Sequence, residues 1–183
     1  MQEVWTMLLA VLLFALACNL DTLLLAAAVR GRGQHITWIE GLILAAVTTV
    51  VTGISLAVGQ AAAALWTLGS AERLGGLVLL AVGLWCLLDA LRGTAEPEET
   101  PQGNQLWAWC ALAAALAVNN AAAGGAAGAA GLDVHWGMGC NFVVTLLTLV
   151  LGGKLAGRLR QSWLLPLGGL LLAGLGLWEI WMA

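Results

Sequence analysis

An all-α integral membrane protein, with six transmembrane helices arranged as two inverted three-helix repeats, is the fold that three observations predict. Hydrophobic residues fill 61% of the 183 positions and charged residues only 9%. The apolar residues gather into six runs, each near the roughly 20 residues that cross a bilayer's hydrocarbon. A shift of 93 residues lays the second and third runs on the fifth and sixth without a gap.

The composition also narrows the function classes. A soluble domain of this length needs a charged surface, which seven Lys/Arg and ten Asp/Glu cannot supply. A net charge of −3 without a basic tract gives nucleic-acid binding no support. No nucleophile–base pair is visible, so the chain does not read as an enzyme. Met1-Gln2-Glu3 lacks the positive region of a signal peptide, so the first run reads as a retained span.

The six spans fall at about 4–29, 37–60, 72–91, 106–131, 136–157 and 163–182. Trp5, Trp38, Trp66, Trp107, Trp136, Trp163, Trp178 and Trp181 lie near their ends, as interfacial anchors do, with Trp85 and Trp109 deeper. Arg30, Arg32, Arg92, Lys154, Arg158 and Arg160 flank one set of span ends, and only Arg73 flanks the other. The positive-inside rule makes the first side cytoplasmic, so both termini are expected to face outward. Residues 1–92 form the first repeat and 106–183 the second. The acidic, Pro-containing stretch 93–105 reads as a cytoplasmic linker.

The repeat is specific in places. LGGLVLLAVGLW (74–85) falls on LGGLLLAGLGLW (167–178) with eight identities in twelve, and Val50-Val51-Thr52 falls on Val143-Val144-Thr145. Span one matches span four through Leu16-Ala17-Cys18-Asn19 and Leu116-Ala117-Val118-Asn119. A three-span unit used twice must enter the membrane from opposite sides. Many secondary transporters have this inverted plan, with a site near the midplane at the repeat interface.

Polar groups at membrane depth are the candidate site. Asp21 stands in the first apolar run, where a charge costs roughly 2.5–3.5 kcal/mol at the bilayer centre on insertion scales. Asn19 lies beside it, and Cys18, three residues before it, shares its helix face. Asn119 and Asn120 occupy the matching part of span four. Thr48, Thr52 and Ser55 form a stripe spaced i, i+4, i+7, and Asn141, Thr145 and Thr148 repeat it 93 residues later. Interhelical hydrogen bonding explains such residues equally well.

Carboxylate, amide and hydroxyl oxygens suit hard or borderline divalent cations such as Mg²⁺ or Mn²⁺. A single deep acid leaves such an ion undercompensated, so Asp89, Glu179, Glu40 and Asp133 are further candidates, each near a span end. An acid in a dry site can trade a proton for a cation, which allows proton-coupled export. The four cysteines read as buried thiols, Cys18 being the one placed to join a site. The glycine pairs Gly124/Gly128 and Gly153/Gly157, with Gly75-Gly76 and Gly168-Gly169, mark close helix approaches. His35 and His135 read as loop residues. The expected partners are the lipid bilayer and a metal cation as substrate, with no permanently bound cofactor; a homo-oligomer is compatible with the sequence.

The stretches ACNLDTLLLAAAVRGRG (17–33), AAVTTVVTGISLAVG (45–59), LGGLVLLAVGLWCLLDALRG (74–93) and 119–131 resemble the manganese efflux pump family MntP. They are closer to its relative, the sporulation-associated membrane protein YtaF. The resemblance implies six spans, Mn²⁺ export and a Ser-hydrophobic-Asp motif in each half. Asn19-Leu20-Asp21 matches the first motif with Asn for Ser, and Val118-Asn119-Asn120 stands at the second with Asn120 for the acid. Thr48 stands where the pumps carry a glutamate, and Asp89 matches an acid before Leu91-Arg92-Gly93. A non-pumping, sporulation-associated or partner-binding membrane protein of the same fold is the alternative.

Overall fold

The computed structural model describes residues 2–31, 33–65, 68–92, 106–155 and 161–182. The linker at 93–105, Arg32, Trp66, Arg158 and Arg160 lie outside the described residues. The side chains of Asn119 and Trp163 lie outside them too. In chain order the helices are α1 (Gln2–Cys18), α2 (Leu20–Gly31), α3 (Trp38–Ala63), α4 (Leu68–Arg92), α5 (Leu106–Ala129), α6 (Val134–Lys154) and α7 (Gln161–Met182). There is no strand among the described residues.

Three helical segments are long and apolar enough to cross a membrane: Trp38–Ala63, Arg73–Arg92 and Val134–Lys154. At 1.5 Å per residue, the 26 residues of α3 reach about 39 Å, beyond a hydrocarbon core of about 30 Å. Two further candidates are bent. α1 and α2 meet at 40°, and α5 turns by 47° between Trp107–Ala117 and Asn120–Ala129. Counting each bent pair as one span gives up to five, and Pro166–Trp181 is a shorter apolar helix. The first apolar run, expected as a continuous helix, is therefore broken near its middle at Asn19, and the fourth is a continuous helix bent near its middle.

The protein is apolar outside and polar within. Val50, Ile54 and Val58 on α3 and Val143, Leu147 and Val150 on α6 are exposed. Asn19, Thr22, Thr48, Thr49, Thr52, Asn141, Thr145 and Thr148 are buried. Water would favour the opposite arrangement, so lipid is the solvent this surface fits. Trp5, Trp38, Trp107, Trp136 and Trp181 are exposed near helix ends, at the depth where indole rings favour the membrane interface. Trp85 is exposed midway along α4, whereas Trp109 is buried.

Packing partners recur. α3 packs along α5, and α6 packs along α1 and α2. α4 touches α5, and α7 touches α1 and α2; α3 also packs on α6, and α4 on α7. Glycines set the closest approaches. A Cβ on Gly83 would meet the Gly169 carbonyl at 2.7 Å, and one on Gly176 would meet the Gly76 carbonyl at 2.6 Å. Gly83 facing Gly169 and Gly76 facing Gly176 means that α4 and α7 run antiparallel. Gly128 is held so close that a Cβ would fall 2.1 Å from the Leu56 carbonyl. Gly153, expected at such a contact, has nothing within 4 Å of its would-be Cβ.

Helix starts account for two acids. Thr37 caps α3 in a capping box with Glu40: Glu40 N donates to Thr37 Oγ1, and Thr37 N donates to Glu40 Oε2 at 2.6 Å. Asp133 caps α6, accepting from Trp136 N at 2.9 Å. Both carboxylates satisfy amides that a helix start leaves open.

Candidate functional site at the helix breaks

The break between α1 and α2 sits at Asn19 and is built by its neighbours. In a continuous helix Thr22 N would donate to the carbonyl of Cys18. Here Thr22 N donates to Asp21 Oδ1 at 2.6 Å, and Thr22 Oγ1 lies 3.3 Å from the same oxygen. The Cys18 carbonyl instead accepts from Asn120 Nδ2 at 2.7 Å. Asp21 is thus a half-buried acid in the first turn of α2. There the open amides and the positive end of the helix dipole stabilise negative charge.

Asn120 begins the second limb of the bent α5. Its bond to Cys18 therefore joins the two bends directly. A peptide carbonyl freed in an apolar environment costs several kcal/mol if left unsatisfied. The amide of Asn120 meets that need from 102 residues further along the chain.

Asn19 is the centre of the polar cluster. Its Nδ2 donates to the Ala15 carbonyl at 2.8 Å and to Asn141 Oδ1 at 2.9 Å. Its Oδ1 accepts from Thr145 Oγ1 at 2.7 Å. Asn141 Nδ2 reaches Thr49 Oγ1 at 3.4 Å, which carries the network to α3. Four side chains from the break, α6 and α3 are tied together, and each is at least nine-tenths buried.

The expected residues divide into those that converge and those that do not. Asn19, Asn141, Thr145 and Asn120 meet at or beside the break. Thr48 is buried, but its hydroxyl donates to the Leu44 carbonyl of its own helix at 2.8 Å. Thr148 and Ser55 likewise bond their own helices. Thr52 is buried, and its hydroxyl has no hydrogen-bond partner among the described residues. The Cys18 side chain packs in an apolar cluster with Val11, Phe14 and Leu79, so its carbonyl, not its thiol, faces the polar groups. Asp89 is half-buried near the end of α4. Cys86, one turn before it, lies within electrostatic reach of both Asp89 and Asp21. Among the described residues no three His, Cys, Asp or Glu side chains converge closely enough to hold one metal ion.

Two participants were not expected from sequence, and a third residue, Glu40, was expected as a candidate ligand and serves a helix start instead. Thr49 joins the network in place of Thr48. Thr22 supplies the amide and hydroxyl that face Asp21. Glu40 belongs to a capping box whose Thr-x-x-Glu signature stands plainly at 37–40. Comparison with protein-family models, curated proteins and solved structures finds no match for this chain.

Proposed function

We propose that the chain is a six-span transporter of two inverted three-helix repeats, and that it exports a divalent cation of the Mn²⁺ type by alternating access. The observation that carries this reading is the apposition of two interrupted helices across the Asn120–Cys18 hydrogen bond, with buried amides and hydroxyls around it. Interrupted spans of this kind supply backbone and side-chain oxygens at the sites of secondary transporters. The recurring packing partners and the antiparallel glycine contacts of α4 with α7 support the two-fold plan. α7 then counts as the sixth span, and the basic residues after the first, third and fifth spans favour a cytoplasmic side there. Both termini then face outside the bacterial inner membrane.

In this reading Asp21 is the charged ligand. Oxygens of Asn19, Asn141, Thr145 and Asn120 complete the shell, with Thr48, Thr52, Asn119 and Asp89 beside them. The amide oxygens now accept hydrogen bonds within the protein. Cation arrival exchanges those bonds for ligation, and departure restores them. This gives two alternative satisfied states for the amides, and a proton taken up by Asp21 replaces the departing cation's charge. The unpartnered Thr52 hydroxyl, in the repeat register the mate of Thr145, is one group that a ligand would satisfy.

A second reading keeps the fold without the pump: a sporulation-associated or partner-binding membrane protein. Its support is the neutral Asn120 and Thr48 where acids stand in the resembling pumps, and a polar network that is already satisfied internally. One experiment divides the two. The native chain and Asp21→Asn are expressed in an exporter-deficient bacterium challenged with Mn²⁺. Asn keeps a side-chain oxygen that can accept from Thr22 N, so this change removes the charge and retains the acceptor at the break. Rescue by the native chain that is lost in Asp21→Asn is expected. No rescue by well-expressed native protein would overturn cation export and leave the second reading.

A further inference from the structure

We propose that the cleft between α2, the 33–37 loop and α6 seats the headgroup of an anionic phospholipid. The cleft encloses about 790 Å³. Arg30, in the last turn of α2, and Lys154, in the last turn of α6, stand at its rim with His35. No carboxylate is among its lining residues. Arg30 Nη1 rests against the His35 ring, 2.8 Å from Nε2. Two positive charges beside one cavity form an anion site, and a planar guanidinium matches a phosphate's paired oxygens.

Three features favour a lipid phosphate over a soluble one. The floor of the cleft is apolar, formed by Ile36 and Leu149 with Val150 at its edge. From Val150 an exposed stripe, Leu147 and Val143, runs down the outer face of α6 at helical spacing. A diacyl chain leaving the rim would lie along it. The exposed Trp38 at the start of α3 marks the same end of the protein as interfacial in depth. Basic pockets between spans are known seats for such headgroups. The site is independent of the helix breaks, so its test does not depend on transport.

The full-length protein is purified in detergent and titrated with phosphatidylglycerol, phosphatidylcholine or inorganic phosphate. Retained lipid is read by native mass spectrometry and thermal stability in parallel. Phosphatidylglycerol is expected to bind and raise the melting temperature, with the other two failing to do so. At about 1 kcal/mol per basic residue, Arg30→Gln with Lys154→Gln should weaken retention roughly thirty-fold. Val150→Asn, which leaves the rim charges intact, should weaken phosphatidylglycerol selectively. Equal retention of the zwitterionic lipid would overturn the proposal. So would undiminished retention by the charge variant, and so would full stabilisation by inorganic phosphate, which would make the ligand a soluble anion.

Discussion

The two bent segments differ in backbone and in chemistry: the helix stops at Asn19 in the first, and α5 runs on through its bend in the second. The first carries Asp21 on the amide of Thr22 and hands its freed carbonyl to another helix. The second, at 118–119 of α5, is followed by Asn120, a neutral residue that serves the first break. Matching positions in the two halves therefore perform complementary tasks: one side accepts charge, and the other supplies a donor. The bend occurs twice, and different residues serve it each time. Whatever the cluster does, its polarity is lopsided toward the first half.

The comparison can be broken hardest at the glycines. A Cβ at Gly59 would lie 2.0 Å from the Gly125 carbonyl, and one at its repeat mate Gly152 would lie 2.4 Å from the Leu23 carbonyl. Gly59→Ala and Gly152→Ala should each destabilise by about 3 kcal/mol, as backbone must move to admit the methyl. Gly139→Ala, with open space around it, should instead stabilise by up to about 1 kcal/mol. Unfolding titrations in detergent would measure all three. Equal behaviour of the three would mean that α3–α5 and α6–α2 are not close contacts.

Next in size is the charge. Moving the acid across the interface with Asp21→Asn plus Asn120→Asp should restore part of the Mn²⁺ resistance lost in Asp21→Asn alone, to within about tenfold of native, or about 1.4 kcal/mol. Failure of the swapped variant, if it accumulates normally, would confine the acid's role to the first break. Asp21→Ala, in contrast to Asp21→Asn, also removes the acceptor for Thr22 N and should lower stability by about 1 kcal/mol.

The smallest effects separate the two threonine stripes. Thr145→Val deletes the hydroxyl that meets Asn19 and should cost about 0.6–1.7 kcal/mol, the range for membrane hydrogen bonds. Thr52→Val removes a hydroxyl with no partner among the described residues. It should be neutral or stabilising, since an unmet buried hydroxyl is itself a penalty. The same unfolding titration compares them, and a larger loss at Thr52 than at Thr145 would reverse the assignment of roles.

Much of the membrane character was legible because a bilayer imposes a simple rule on composition and run length. The polar stripes were legible because 93 residues separate each member from its mate. The break at Asn19 was not. Neither Pro nor Gly marks it, and nothing local distinguishes Asp21 as a cap from Asp21 as a buried ligand. That distinction depends on a carbonyl whose partner lies in the other half of the chain. Thr49 was missed for a related reason. Helical spacing grouped Thr48 with Thr52, whereas the rotation of α3 against α6 turns Thr49 toward Asn141. The capping box at 37–40, by contrast, was available to a purely local reading.

The bond from Asn120 to the Cys18 carbonyl also orders events in time. A ribosome that has made only the first three helices has supplied neither Asn120 nor Asn141. The carbonyl at Cys18 then lacks the partner it has in the folded chain, and only the amides of its own segment are within reach. One contact at the first break therefore waits until residue 120 has been made.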